Sequence, residues 1–346
     1  MSAQGSTDPS LTKLLLFMLV GLSILAVALW ALVPAVKTHP AAVTLPAPTT
    51  TTTALVPATV PPLAVAPGHD PVVAAAGNIA CGATNPVLRL GLTSASACAE
   101  ARTADVIASM GVDAVLAVGD IQRGGRGAYD FAHVYDPTWG RFKAKTRPVP
   151  GHNEASPASG YFDYFGNLAG DPAHGYYSFD LGTWHLVALN SNCSGVGGCY
   201  SGSPQERWLR ADLERHGARC TLAYWNGPLY SSTRRDQGDY ATQAFWSDLE
   251  AANADVVVGG DAGSYERFAP QTRDGEVDAT NGIREFVVGT GGVGFAPFPS
   301  VAPHSEVRND TAFGVLALTL HPDGYDWRFA PVAGASFTDS GHGRCH

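Results

Sequence analysis

The chain has 346 residues, room for one large domain or two small ones, and its 22 Lys and Arg stand against 31 Asp and Glu for a net charge of −9. No Lys or Arg cluster offsets that balance, which argues against nucleic acid as a partner. Only 15% of the residues are charged, below the globular norm of about 25%, and part of the deficit lies at the amino terminus. Residues 14–33, LLLFMLVGLSILAVALWALV, are apolar or small throughout, and about 20 such residues are long enough to cross a bilayer as a helix. A cleaved signal peptide has a shorter apolar core, about 7–15 residues, followed by its cleavage site, whereas Ala26-Val27-Ala28 falls inside this run. The reading is an uncleaved transmembrane signal anchor at 14–33 after a short cytoplasmic segment, 1–13. The rest of the chain is then extracytoplasmic, in a single-pass protein of the cell membrane; a secreted protein is the alternative.

Residues 34–70 are rich in Pro, Thr and Ala, including five consecutive threonines from Thr49 to Thr53. Such a segment buries no core and favours extended conformations, so it reads as a linker holding the folded region, 71–346, away from the membrane.

Within the folded region short apolar runs stop at glycine and a polar residue. Val72–Ala76 ends in Gly77-Asn78, and Ala114–Val118 in Gly119-Asp120. Arg147–Pro150 leads into Gly151-His152-Asn153-Glu154, Thr221–Trp225 into Asn226-Gly227-Pro228, and Asp255–Val258 into Gly259-Gly260-Asp261. Runs of this length read as buried strands, and glycine lets the backbone turn so that the next side chain projects from the strand end. Open α/β sheets gather their sites at such ends, so the five are expected to converge on one polar crevice.

Between these strands, Ala99–Met110 has the spacing of an amphipathic helix, giving a β-α-β unit with the strands on either side. Tyr176–Asn190 reads as a hairpin turning at Asp180-Leu181-Gly182-Thr183. Ser203-Pro204 opens a helix carrying Trp208, Leu209 and Leu213, and a further helix spans about Tyr240 to Ala252. Ile283–Val288 is a strand, and a last hairpin turns at His321-Pro322-Asp323-Gly324. Mixed strand directions with helices between some of them indicate an α/β system of two sheets. His133, His174, His185, His304 and His321 have no ligand spacing and read as surface or core residues. Gly289-Thr290-Gly291-Gly292 lacks the Lys and Ser/Thr of a nucleotide loop and reads as tight turns.

The six cysteines, Cys81, Cys98, Cys193, Cys199, Cys220 and Cys345, include no Cys-x-x-Cys pair, and their even number behind an export signal points to disulfides rather than zinc. Cys81 with Cys98 and Cys193 with Cys199 would close local loops, and Cys220 with Cys345 would tie down the carboxyl terminus. This is one of fifteen connectivities, and buried free thiols are the alternative.

Several of these segments carry a resemblance: Gly119-Asp120-Ile121-Gln122, the Tyr135–Gly140 segment, Pro148–Glu154, Tyr176–Asp180, Trp208–Leu213, Tyr265–Phe268 and Gly289–Gly292. Residues 71–346 resemble the calcineurin-like metallophosphoesterases, purple-acid-phosphatase-related. The resemblance implies a four-layer αββα sandwich with two mixed sheets and a dinuclear metal centre at the strand ends, where metals polarise a phosphate ester and activate hydroxide. Set against the family's ligands, the chain departs at most positions. The first Gly-Asp is Gly77-Asn78, the bridging aspartate is present as Asp120, and the Gly-Asn-His-Glu motif appears as Gly151-His152-Asn153-Glu154 with two side chains exchanged. The histidine before proline is Asn226, and Gly-His-x-His becomes Gly260-Asp261-Ala262-Gly263. Asn78, Asp120, His152, Asn226 and Asp261 thus form an oxygen-rich set with one imidazole, suited to one weakly held hard cation or none, and a dinuclear centre is not expected. His152 is the remaining candidate for catalysis, although the bland roles for all five are turn capping and backbone hydrogen bonding. Arg123 and Arg126, flanking the Asp120 loop, could bind an anion or simply be solvated.

The expectation is a membrane-anchored pseudo-phosphatase acting by binding an unidentified extracytoplasmic ligand or protein. A metal-dependent phosphomonoesterase or phosphodiesterase with a rebuilt mononuclear site, and a purely structural ectodomain, are the rivals.

Overall fold

The structure, a computed structural model, describes residues 60–89, 97–124, 127–156, 159–233, 239–260 and 263–346. The apolar run at 14–33, Arg126 and Asp261 lie outside them. No helix among the described residues is long and apolar enough to cross a membrane.

Two mixed sheets form the body. In the first, β1 (Val72–Ala76), β2 (Ala114–Val118) and β3 (Thr146–Val149) run parallel, with Val73 opposite Ala114 and Val115 opposite Thr146. Beside β1 the antiparallel β11 (Gly314–His321), β12 (Gly324–Pro331) and β13 (Ser340–Arg344) complete six strands. In the second sheet β5 (Trp184–Ala188), β6 (Cys220–Trp225), β7 (Val256–Gly259) and β9 (Arg284–Val288) are parallel. Its antiparallel margins are β4 (Tyr177–Leu181) on one side and β8 (Tyr265–Phe268) with β10 (Ser305–Asn309) on the other. This mixed α/β arrangement agrees with the expected two-sheet sandwich.

The inner strands are apolar along their whole length because they are covered on both faces: all five residues of β2 and of β5 are buried. One core joins the sheets, with Leu116 and Val118 packed among residues such as Leu186, Leu222 and Val258. A second core lies between Val187, Ala223 and Val257 of the second sheet and two helices, α2 (Pro204–Arg215) and α3 (Gln243–Ala251). Helix α1 (Glu100–Met110) packs on β11 and β12 and stops at Gly111 in the left-handed conformation, φ 64°. Ser203 caps α2 by accepting from the Glu206 N–H at 3.3 Å, with proline in the first turn.

All three expected disulfides are present, Cys81–Cys98, Cys193–Cys199 and Cys220–Cys345. The hairpin turns are tighter than the sequence suggests. Asp180 and Leu181 pair within β4, leaving Gly182-Thr183 as the turn, and His321 and Gly324 pair with each other around Pro322-Asp323.

Three strands escape sequence reading. β8 and β10 are short and partly polar, and β13, Ser-Gly-His-Gly-Arg, has no apolar residue. The start of the folded part also moves: Val60, Leu63 and Val65, within the expected linker, pack against the core, and the buried Arg147 guanidinium donates to the Pro61 carbonyl.

Candidate site at the strand ends

The loops after β1, β2, β3, β6 and β7 meet where the two sheets come together. Asp120 follows Gly119, φ 71°, and itself adopts a left-handed φ of 48°, as Asn78 does at 50°. Asn and Asp tolerate that region better than other residues with a Cβ. The turn keeps both side chains in the junction, where Asp120 is 6% and Asn78 3% exposed.

Backbone and amide groups knit the junction. The Gly77 N–H donates to the Val288 carbonyl at 2.7 Å, and the Gly291 N–H donates to the Gly77 carbonyl at 3.0 Å. Asn78 Nδ2 donates to the Gly260 carbonyl at 3.3 Å, and Asn226 Nδ2 to the Val118 carbonyl at 3.2 Å. Each asparagine therefore links the end of a strand in one sheet to the end of a strand in the other. The approach is close enough that a Cβ on Gly260 would lie 1.8 Å from the Val118 carbonyl oxygen, and one on Gly151 would lie 2.1 Å from the Asp120 nitrogen. Glycine is required at both positions.

Asp120 Oδ1 accepts from the Asn153 N–H at 3.0 Å, so it holds the following loop in place. Glu154, which stands out in the sequence only as part of its motif, accepts from the N–H of Gly151 at 2.9 Å and of Gln122 at 3.1 Å. Burial, reinforced by the Asp120 charge, pushes its carboxyl up to about 7 despite those donors. His152 and Asn153 are exposed on the short 3₁₀ turn His152–Glu154. Asn226 is fully buried, and among the described residues no hydrogen-bond partner reaches its Oδ1.

A pocket of about 160 Å³ opens beside Asn78 and Arg123, with Gly263 and residues 293–296 forming the rest of its wall. It is smaller than the roughly 300–1,000 Å³ of ordinary small-molecule sites. A larger one, about 520 Å³, lies beyond Glu154 and is lined by Phe162, His174, Asn190 and Asn192.

Among the described residues, three groups of His, Cys, Asp or Glu place ligand atoms within 4.8 Å of one another, and none of them is at the strand ends. Two contain sulfurs already joined in disulfides, and the third is Asp180, His185 and His216. Sequence reading passes over that third group because its members are unspaced along the chain. The local signals are Asp180 and His185, opposite each other across the β4–β5 hairpin, and Asp212 and His216, four residues apart at the end of α2.

No family model matches the chain. Purple acid phosphatase 21 of Arabidopsis thaliana is 28% identical over 194 residues, 49% of this chain and 42% of that protein. The chain therefore spans less than half the length of this curated relative. Among solved structures, the purple acid phosphatase PPD1 from seeds of yellow lupin (Lupinus luteus) superposes with a TM-score of 0.60 at 16% identity, over 79% of this chain and 53% of that one. GAP50, the anchor in the inner membrane complex of Plasmodium, superposes at 0.58 and 13% identity, over 80% of this chain and 90% of that one. The two mixed sheets, the site at their joined strand ends and these superpositions show that the chain has the calcineurin-like metallophosphoesterase fold.

Proposed function

We propose that the protein is a membrane-tethered, extracytoplasmic pseudo-phosphatase that acts by binding. The observation that carries the proposal is the use of Asn78 and Asn226. Their side chains stand where the resemblance places metal ligands, and each spends its amide nitrogen on a backbone carbonyl of the opposite sheet. A dinuclear centre needs several imidazoles and anionic oxygens around two ions. The described residues at the junction offer one buried carboxylate besides Glu154, whose oxygens are taken by backbone donors, and an exposed His152. That set does not fit two metals. The same fold serves Plasmodium as an anchor, which makes a binding role for this chain a natural use of the scaffold. The apolar run at 14–33 supplies the tether, since its length matches a bilayer span.

A second reading has one observation in its favour. The buried Asn226 Oδ1 lacks a hydrogen-bond partner among the described residues, and beside Asp120 it offers an oxygen to a single hard cation, which favours the rebuilt mononuclear hydrolase that the sequence sets around Asp120, His152 and Asp261.

Turnover of an aryl phosphate monoester and of a bis-aryl diester by the full chain, with Mg²⁺, Mn²⁺, Zn²⁺ or Fe²⁺ added in turn, separates the two readings. The expected result is no hydrolysis above background and no difference between the wild type and Asp120→Ala. Metal-dependent turnover lost in Asp120→Ala would overturn the pseudo-phosphatase reading and establish the hydrolase.

A further inference from the structure

Two of the three disulfides have a carboxyl beside them. Glu100 lies at Cys81–Cys98 and Asp255 at Cys220–Cys345, each with an oxygen within 4.8 Å of both sulfurs. The two carboxyls are employed differently. Asp255 accepts from the Thr221 N–H at 2.8 Å on one oxygen and from the His346 N–H at 2.9 Å on the other, and both of its cysteines are buried. Glu100 is 2% exposed, and among the described residues no hydrogen-bond partner reaches its Oε2. Of its two cysteines, Cys81 is buried but Cys98 is partly open to solvent. Cys193 is open in the same way, yet among the described residues no such carboxyl lies beside its disulfide.

Cys98 is also held in an uncommon conformation. Its φ of 56° is left-handed, which is costly for a residue with a Cβ other than Asn or Asp. The cross-link to Cys81 fixes it on one side, and on the other the Ala99 N–H donates to the Gly292 carbonyl at 2.9 Å. Opening the cross-link removes one of these two restraints. Cys98 also stands just before α1, where the free N–H groups of the first helical turn favour a negatively charged sulfur.

Glu100 supplies the complementary feature. Burial raises its carboxyl to about 7 against the backbone donors of Glu100 and Cys81, with no neighbouring charge among the causes. The charged groups on the surrounding elements are engaged elsewhere: Asp130 accepts from the Ala83 N–H at 2.8 Å, Arg102 donates to the Ala333 carbonyl at 3.0 Å, and Arg123 lines the pocket beside Asn78. The fold therefore keeps a proton next to the disulfide near neutral pH.

We propose that Cys81–Cys98 is a redox-active disulfide, opened by a dithiol that attacks Cys98, with Glu100 as the acid that protonates the departing Cys81 sulfur. A thiolate of the dithiol bonds to Cys98 Sγ, the Cys81–Cys98 bond breaks, and its electron pair leaves on Cys81 Sγ. A buried thiolate is unfavourable, so the Glu100 proton passes to it, and the carboxylate regains a proton from solvent. The second thiol of the reagent, losing its proton to solvent, attacks its own sulfur in the mixed disulfide and releases Cys98, which takes up a proton. The dithiol leaves oxidised to a disulfide, having supplied the two electrons. Reduction frees the loop after β1, which carries Asn78, from the start of α1.

The test adds dithiothreitol, a dithiol, to the folded full chain, alkylates the freed thiols and locates them by peptide mass spectrometry. Cys81 and Cys98 are expected to be labelled about tenfold faster, or more, than Cys193, Cys199, Cys220 and Cys345. Divided by the fraction of reagent thiolate, the wild-type rate should fall as pH rises through about 7, where Glu100 loses its proton. Glu100→Gln should be about fivefold slower, or more, at about pH 6 and show no such fall. Opening of the Cys81–Cys98 pair no faster than either of the other two would overturn the proposal, and that measurement needs no variant. A Glu100→Gln chain reduced at the wild-type rate and with the wild-type pH profile would overturn the role of Glu100. Neither result depends on whether the strand ends hydrolyse phosphate esters.

Discussion

Glu100 opens α1 beside the Cys81–Cys98 disulfide with 2% of its surface exposed. Among the described residues no hydrogen-bond partner reaches its Oε2, and burial raises its carboxyl from 4.5 to about 7 against the backbone donors of Glu100 and Cys81. The sign of its effect on stability is fixed by linkage. The unfolded chain releases this proton at the lower value and the folded chain at the higher, so between them the folded state holds more protons and loses stability as pH rises. The stabilisation is complete below the unfolded value and gone once pH has passed the folded one. The loss amounts to about 3 kcal/mol if the whole shift is realised. Glu154 acts in the same direction. Glu100→Gln is therefore expected to be more stable than the wild type at about pH 8 and to flatten part of the decline between roughly pH 5 and 8. Urea unfolding at several pH values checks this, and an unchanged slope would mean that Glu100 does not hold its proton in the fold.

At the scale of elements, β13 depends on what its neighbours bring. It pairs with β12 from Gly324 opposite Arg344 to Arg328 opposite Ser340. Its glycines leave space for rings: a Cβ on Gly341 would lie 2.4 Å from the Trp327 ring, and one on Gly343 would lie 2.3 Å from the Tyr325 ring. Trp327 is worth protecting, since Arg267 and Arg284 stack at 5.0 and 4.9 Å from its centroid and its Nε1–H donates to Asp339 at 3.2 Å. Gly341→Val should displace the indole and destabilise the protein by about 1–3 kcal/mol, the ordinary cost of overpacking. The midpoint of a urea melt measures it, and a loss under 0.5 kcal/mol, the range of neutral surface changes, would show that the strand can swing away.

For the whole molecule, the longest covalent constraint is Cys220–Cys345, with a sequence separation of 125. It joins the buried start of β6 to the end of the chain, just after β13, and so ties an edge of the first sheet to the middle of the second. A loop of this length restricts the unfolded chain enough to contribute about 4–5 kcal/mol. The double variant Cys220→Ala/Cys345→Ala should lose most of that in urea unfolding, and β13, which has no apolar residue of its own, should be the first strand to lose amide-exchange protection.

The sequence by itself determined the inner strands, the three main helices and the polar strand ends, because each is written in local terms: an unbroken apolar run, a helical period, a glycine before a polar residue. The disulfide pairing expected from the two short loops was one of fifteen open to six cysteines, and the fold is what selects it. Only tertiary structure decided what the strand-end side chains do. Asn78 and Gly260 are 182 residues apart, and nothing in either segment says that the amide of one will bond the carbonyl of the other across two sheets. The cluster of Asp180, His185, Asp212 and His216 was hidden for the same reason, since its members come from two strands and a helix. β13 was invisible because backbone pairing and a disulfide hold it, and neither leaves a periodic trace in the side chains.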